Sequence, residues 1–201
     1  MVERTGVALS LICPTIGRSS LAVLLLDVVK QLQPQDEFIV VGDGPLDPYI
    51  TKLCGLYPTV RYLETPTRVG DYGCTPCDLG IKEAKGDFLW FIGDDDSIPE
   101  GAVDSIRQRV VHSSRPHIFA MQHTGRILSN SVQACEVSGQ QIVVPNNKNR
   151  IPRMADFPPH LLGLSDWVFI SKVIKEWEVE GFEYHPEIIC VLPTMNQGKF
   201  F

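Results

Sequence analysis

Apolar runs and amphipathic stretches alternate along the first half of the chain, and that alternation predicts its architecture. Val7–Cys13 (VALSLIC) is apolar but for one serine and is closed by Pro14 and Gly17, as a buried strand would be. Ser19 or Ser20 then offers an N-cap to an apolar helix running to about Leu32, and Glu37–Val41 (EFIVV) predicts the next strand before the turn GDGP. A helix around Asp47–Leu56, a strand TVRYLE, a helix around Thr75–Ala84 and a strand DFLWFI repeat the pattern. Strands that are apolar along their whole length need cover on both sides, so this succession predicts an α/β sheet with helices on both faces.

The second half is less regular. Pro99 suits the first turn of a helix ending near Val111, HIFAMQH reads as a strand, and Gly125–Val144 predicts short strands of antiparallel character. Pro145–His160 (PNNKNRIPRMADFPPH) is rich in Pro and Asn and has no period, which predicts a long loop of the kind that forms lids and binding elements. A helix from about Ser165 to Trp177 puts Trp167, Ile170, Ile174 and Trp177 on one face, and EYHPEIICVL closes the pattern as a strand. Neither a repeat nor a linker divides the sequence, so residues 1–201 are expected to form a single domain.

Composition narrows the function classes. With 201 residues, 44% hydrophobic and 21% charged, the chain has the balance of an ordinary folded protein rather than a disordered one. A net charge of −6 works against a general electrostatic design for nucleic acid. The apolar run LAVLLLDVV is broken well short of the ~20 residues of a membrane span. The N-terminus carries an early acid and no cleavage site, so a cytoplasmic location and reduced cysteines are expected. Cys74 and Cys77 (CTPC) have the spacing of a redox or zinc half-site, but no second pair follows at metal-ligand spacing, and a structural role is expected.

Chemistry concentrates where strands end. In FIGDDDSIP, three carboxylates, Asp94, Asp95 and Asp96, follow a buried strand directly. Like charges ~4 Å apart repel by a few kcal/mol even at an effective dielectric near 20, so a cation is expected among them. Carboxylate oxygens suit Mg²⁺ or Mn²⁺, which also bind phosphate oxygens. Arg18 and Asp43 fall at the ends of the first and second strands. Open α/β sheets bind ligands at the carboxyl ends of their strands, so these groups are expected to converge on one rim and hold a nucleoside diphosphate through the metal.

Four segments in order, ALSLICPTIGR, EFIVVGDGP, GDFLWFIGDDDSIPEGAV and GLSDWVF, together resemble GT-A fold glycosyltransferases of the family 2 type over Val7–Leu192. The second resembles their Val-Val-Asp-Asp-Gly segment, the third their Asp-X-Asp segment and the fourth their later Glu-Asp motif. The resemblance implies a GT-A (Rossmann-like), mostly parallel sheet flanked by helices, with a short antiparallel addition. It implies a metal-dependent, inverting transfer of a sugar from a nucleotide sugar, foremost a UDP-sugar, to a hydroxyl of a glycan, lipid, protein or modified nucleic acid base. Asp43 would contact uracil or ribose, and Pro14, Thr15 and Arg18 would line the nucleotide pocket. Asp94 and Asp96 would hold Mn²⁺ or Mg²⁺, Asp95 between them would contact ribose or sugar, His185 is a candidate third metal ligand, and Asp166 would be the general base.

The sequence also departs from that pattern. Gly42 and Gly93 stand where the family usually or often has an acid, Cys77 and Asp78 where it often has Arg-Asn, and Ser165 where it has Glu. These departures leave donor base and sugar open. The cations of the long loop, Lys148, Arg150 and Arg153, are either solvated or part of a lid that meets the diphosphate or an anionic acceptor. Two further functions fit parts of the pattern. A non-catalytic nucleotide-sugar-binding module would need Asp43 but no base; a nucleotidyltransferase usually carries a Gly-rich N-terminal loop with a lysine, which PTIGRSS matches poorly.

Overall fold

In the computed structural model of the protein, which describes residues 6–192 apart from 130, 159–160 and 162–163, the first half alternates as expected. β1 (Leu9–Thr15), α1 (Ser20–Val29), β2 (Glu37–Gly42), α2 (Pro48–Cys54), β3 (Val60–Glu64), α3 (Cys74–Glu83) and β4 (Phe88–Phe91) follow one another. Their strands lie in the order β3-β2-β1-β4, all parallel. Next come α4 (Ala102–Val110), β5 (His117–His123), β6 (Arg126–Leu128), β7 (Ile142–Pro145), α5 (Ser165–Glu176) and β8 (Glu183–Leu192). β7 joins β4 antiparallel and carries β5 on its other side, β6 pairs antiparallel with β5, and β8 runs parallel to β5.

Alternation along the buried strands sorts their side chains into two cores. Leu9, Leu11 and Cys13 of β1 and Phe38 and Val40 of β2 meet Leu21, Leu24 and Leu25 of α1 and Val103 and Ile106 of α4 on one face. Ile12, Ile39 and Val41 point the other way, toward Cys77 and Ile81 of α3 and Phe169, Ile170 and Val173 of α5. Each fully buried Leu or Ile contributes about 1.5–3 kcal/mol, so this period-two sorting favours a single strand register. One buried carboxylate ties the layers on the α1/α4 side: Asp36 accepts from Leu9 N (2.9 Å), Gln33 N (2.8 Å) and Arg107 Nη2 (2.6 Å).

Several boundaries moved from the pattern-based expectation. α1 stops at Val29 rather than near Leu32, and β1 begins two residues after Val7. α4 starts at Ala102, not at Pro99, because Gly101 takes a left-handed conformation (φ 80°) and Ala102 N bonds back to the Pro99 carbonyl. On α5 the stripe rotates, with Val168, Phe169, Ile170 and Val173 buried, while Trp167 and Ile174 are half-buried at its margins. The expected long loop gives Pro145 to β7 and forms a short 3₁₀ turn at Met154–Asp156; its last residue, His160, lies outside the described residues, as does Gly163 of GLSDWVF. Among the described residues no helix is long and apolar enough to cross a membrane.

Candidate active site

A cavity of about 620 Å³ opens at the carboxyl ends of the parallel strands. Pro14 and Thr15 reach it from the end of β1, Arg18 from the turn before α1, and Asp43 from the end of β2. Asp94 and Asp95 reach it from beyond β4, and Asp166 closes the far wall from the first turn of α5. The structure therefore brings together seven of the nine expected site residues. Asp96 and His185 are not part of that lining.

The acidic triplet is divided in three. Asp94 is buried, and both of its oxygens are engaged: Oδ2 accepts from Thr15 Oγ1 (2.6 Å) and Oδ1 from Arg18 Nη1 (2.5 Å). Asp95 is the open acid, its side chain 41% exposed and 3.6 Å from Arg18. Asp96 turns inward, accepting from Gly93 N at 2.5 Å, and its Oδ1 is buried without a hydrogen bond of ordinary geometry, with Cys190 and Gln140 beside it. Burial, with Asp95 adding to it, pushes the Asp96 carboxyl up to about 6. The strand β8 fixes this turn from behind through paired backbone bonds between Ser97 and Val191, both 2.8 Å.

Asp43 is likewise an organiser of backbone. It is 6% exposed, and its two oxygens accept from Val69 N (2.7 Å) and Gly70 N (2.9 Å), which brings Arg68 and Tyr72 to the cavity wall. The preceding Gly42, where an acid was expected from the family pattern, has no room for one: a Cβ there would lie 2.9 Å from both the Gly44 carbonyl and the Tyr62 hydroxyl.

Asp166 rests on a segment that carries no recognisable motif, Ser138–Gln141. The Ser138 hydroxyl lies 3.1 Å from Asp166 Oδ2 and also close to Gln140 Oε1. Gly139 packs beneath the carboxylate, Gln140 lines the cavity and accepts from Trp90 Nε1 through its carbonyl (2.8 Å), and the buried Gln141 amide bonds the Phe119 and Leu128 carbonyls. Asp166 also lines a second cavity of about 380 Å³, which includes Thr124, Arg126 and Ser138. It thus stands between the two spaces.

The remaining expected groups lie elsewhere. His185 sits near the start of β8 beside His117 and Glu183. It is five residues before Cys190, the neighbour of Asp96, and so roughly 16 Å away along an extended strand. It does not join the triplet. Arg150 is bound to Glu180 (2.7 Å) and lies over the Trp177 ring, and Lys148 bonds the Lys82 carbonyl. Of the loop, Met154 reaches the cavity, held by Asp78 through its backbone N–H (2.8 Å). Cys74 and Cys77 are unbridged and buried in the cavity floor, and burial raises both thiols, Cys74 to about 12. Such thiols are poor nucleophiles and poor metal ligands at neutral pH.

Comparison with known proteins identifies the family and the fold. The profile of Glycosyl transferase family 2 matches residues 10–130. An uncharacterized glycosyltransferase of Haemophilus influenzae is 21% identical over 211 residues, covering 94% of this chain and 70% of its own. Among solved structures, S. aureus TarS 1-349 superposes with a TM-score of 0.71 at 18% identity, over 92% of this chain and 60% of that one. The same protein in complex with UDP-GlcNAc gives 0.73 at 19% identity, over 96% and 60%. The chain therefore spans about 60% of those TarS structures, with which it shares its mixed α/β fold.

Proposed function

Because the chain belongs to glycosyl transferase family 2, we propose that it transfers a sugar from a nucleotide sugar to a hydroxyl acceptor, with inversion at the anomeric carbon. The observation that carries this reading is the convergence of Thr15, Arg18, Asp43, Asp95 and Asp166 from separate segments on one cavity. A volume of about 620 Å³ lies within the 300–1,000 Å³ typical of small-molecule sites. The complex of TarS with UDP-GlcNAc supports a UDP-sugar as donor.

Asp43 and the loop it holds would frame the nucleotide, and Arg18 would meet the phosphates. The triplet supplies hard oxygen donors, among them the half-exposed Asp95 carboxylate, 3.6 Å from Arg18, and the buried Asp96 Oδ1, which no hydrogen bond of ordinary geometry engages. Such donors suit Mn²⁺ or Mg²⁺, which Asp95 would hold together with Asp94 and Asp96. When bound, such an ion supplies positive charge to the departing diphosphate. Asp166 takes the proton from the acceptor hydroxyl, whose oxygen attacks the anomeric carbon as the bond to the diphosphate oxygen breaks. Its place between two cavities supports that role, with the donor on one side and the acceptor on the other.

The test is UDP release from UDP-GlcNAc by the full chain. General-base catalysis contributes about 10²–10⁴-fold, so Asp166→Asn should cut turnover by that factor with donor affinity held within a few-fold. Near-normal turnover in this variant would overturn Asp166 as the base, whereas no turnover by the unaltered chain would leave a donor-binding module. Chelation should abolish donor-dependent thermal stabilisation and Mn²⁺ should restore it.

A further inference from the structure

At the opposite end of the sheet from the donor cavity, the amino ends of β5 and β8 bring two histidines and a glutamate together. In the register of that pair, His117 lies opposite Glu183, and Phe119 opposite His185. Residues two apart on a strand share a face, so Glu183 and His185 project to the same side. His117 Nδ1 is 2.8 Å from His185 Nε2, and His185 Nε2 is 4.0 Å from Glu183 Oε2. One ligand atom from each of the three lies within 4.8 Å of the others. His117 is fully buried and His185 is 6% exposed, whereas the Glu183 side chain is 46% exposed and opens the cluster to solvent.

From this geometry we propose that His117, His185 and Glu183 form a zinc site that fastens β8 to β5, with water as the fourth ligand. Tetrahedral Zn²⁺ with bonds of about 2.0–2.1 Å sets its ligands roughly 3.3 Å apart. The two nitrogens must therefore part by about half an ångström, and the exposed Glu183 side chain must swing in. The outer nitrogen of His117 is already held, with Nε2 2.6 Å from Ser113 Oγ, the kind of support that orients metal-bound imidazoles. The proton accounting is neutral. With the His117 proton on Nε2, donated to Ser113 Oγ, Nδ1 is free to bind; with the His185 proton on its Nδ1, its Nε2 is free as well. Burial lowers both imidazoles, His117 to about 4. The other charges at the cluster are Arg115, 3.7 Å from Glu183, and the Arg109–Glu187 pair near His185. Arg115 competes with the metal for Glu183, and displacing it is the main cost.

None of the three lines the donor cavity, so this site is spatially separate from the triplet. The experiment uses the full chain with the exposed Cys135 replaced (Cys135→Ser), stripped with chelator and titrated with Zn²⁺ against a chromophoric competitor. One equivalent should bind, and Zn²⁺ at a 100-fold excess over Kd should raise Tm by roughly 5–10 °C. Glu183→Gln, at an exposed position that folding tolerates, should weaken binding at least tenfold; His185→Ala should abolish it; and Asp95→Asn should leave it unchanged. Co²⁺ should give the visible bands of a tetrahedral complex. No uptake, or uptake indifferent to Glu183→Gln and His185→Ala, would overturn the site and leave the two imidazoles as a proton-sharing pair.

Discussion

Replacing Gly139 by alanine adds one methyl group beneath the proposed base and little else. Gly139 is not in the left-handed region, so alanine meets no backbone penalty. The three heavy atoms nearest its Cβ would all belong to Asp166: Oδ1 at 3.1 Å, Cγ at 3.4 Å and Oδ2 at 3.9 Å. Ordinary contact begins near 3.5 Å, so the carboxylate must yield by about 0.4 Å. Misplacement of a catalytic group by ~1 Å costs on the order of 10²-fold; scaled logarithmically, the shift predicts a 4- to 10-fold fall in kcat, about 1 kcal/mol. The assay is initial-rate UDP release at saturating UDP-GlcNAc, with donor affinity measured separately by thermal shift. KM for the donor should stay within about twofold, since the methyl group points at Asp166 rather than at the nucleotide end of the cavity. The decisive control is a double-mutant cycle: in an Asp166→Asn background the same alanine should have almost no further effect. An equal loss in both backgrounds would refute the claim that Gly139 acts through Asp166, and an unchanged kcat would refute the proposed geometry of the base.

Asp43→Asn keeps the shape of the side chain but turns an amide N–H₂ toward one of the two backbone donors now satisfied at Val69 and Gly70. One charge-assisted bond is lost and one buried N–H left unpaired, a cost of about 2–3 kcal/mol and a Tm fall of roughly 4–12 °C, with faster amide exchange confined to residues 67–73. Unchanged exchange there would show that Asp43 does not organise this loop. The pH dependence of the chelator-treated protein should carry the mark of His117, whose folded pKa is lowered by burial to about 4 from an ordinary value of 6.5. The unfolded chain binds the extra proton first, so stability from this group is complete above pH 6.5 and lost as pH falls toward 4. A Tm profile that is the same in His117→Asn would count against it.

The strands, the helices on both sides and the acids at the strand ends were legible from the chain because each depends on local chemistry. A continuously apolar run such as VALSLIC must be covered on both faces, and a run of three acids after such a strand must lie at a solvent-facing end. What adjacent letters cannot carry is which oxygen faces which partner. Asp94, Asp95 and Asp96 are equivalent in sequence, yet one is bound to Thr15 and Arg18, one is open and one turns back onto Gly93. The side-chain direction in a tight turn is set by the backbone around it, and here that backbone is pinned by β8, almost a hundred residues later. Ser138 and Gly139 carry no signal at all, because their importance lies only in being packed under Asp166.

The sequence by itself determined a two-sided α/β sheet with a polar rim, since hydrophobic periodicity and the strand-end position of charged residues follow from burial energetics acting residue by residue. Only the tertiary structure decided the partners on that rim. Long-range pairing of β5 with β8 took His185 away from the triplet and set it beside His117, and the packing of α5 against Ser138–Gln141 brought Asp166 between the two cavities. Both outcomes depend on contacts between segments distant in the chain, where distance and orientation are fixed by the packing of whole layers rather than by any local preference.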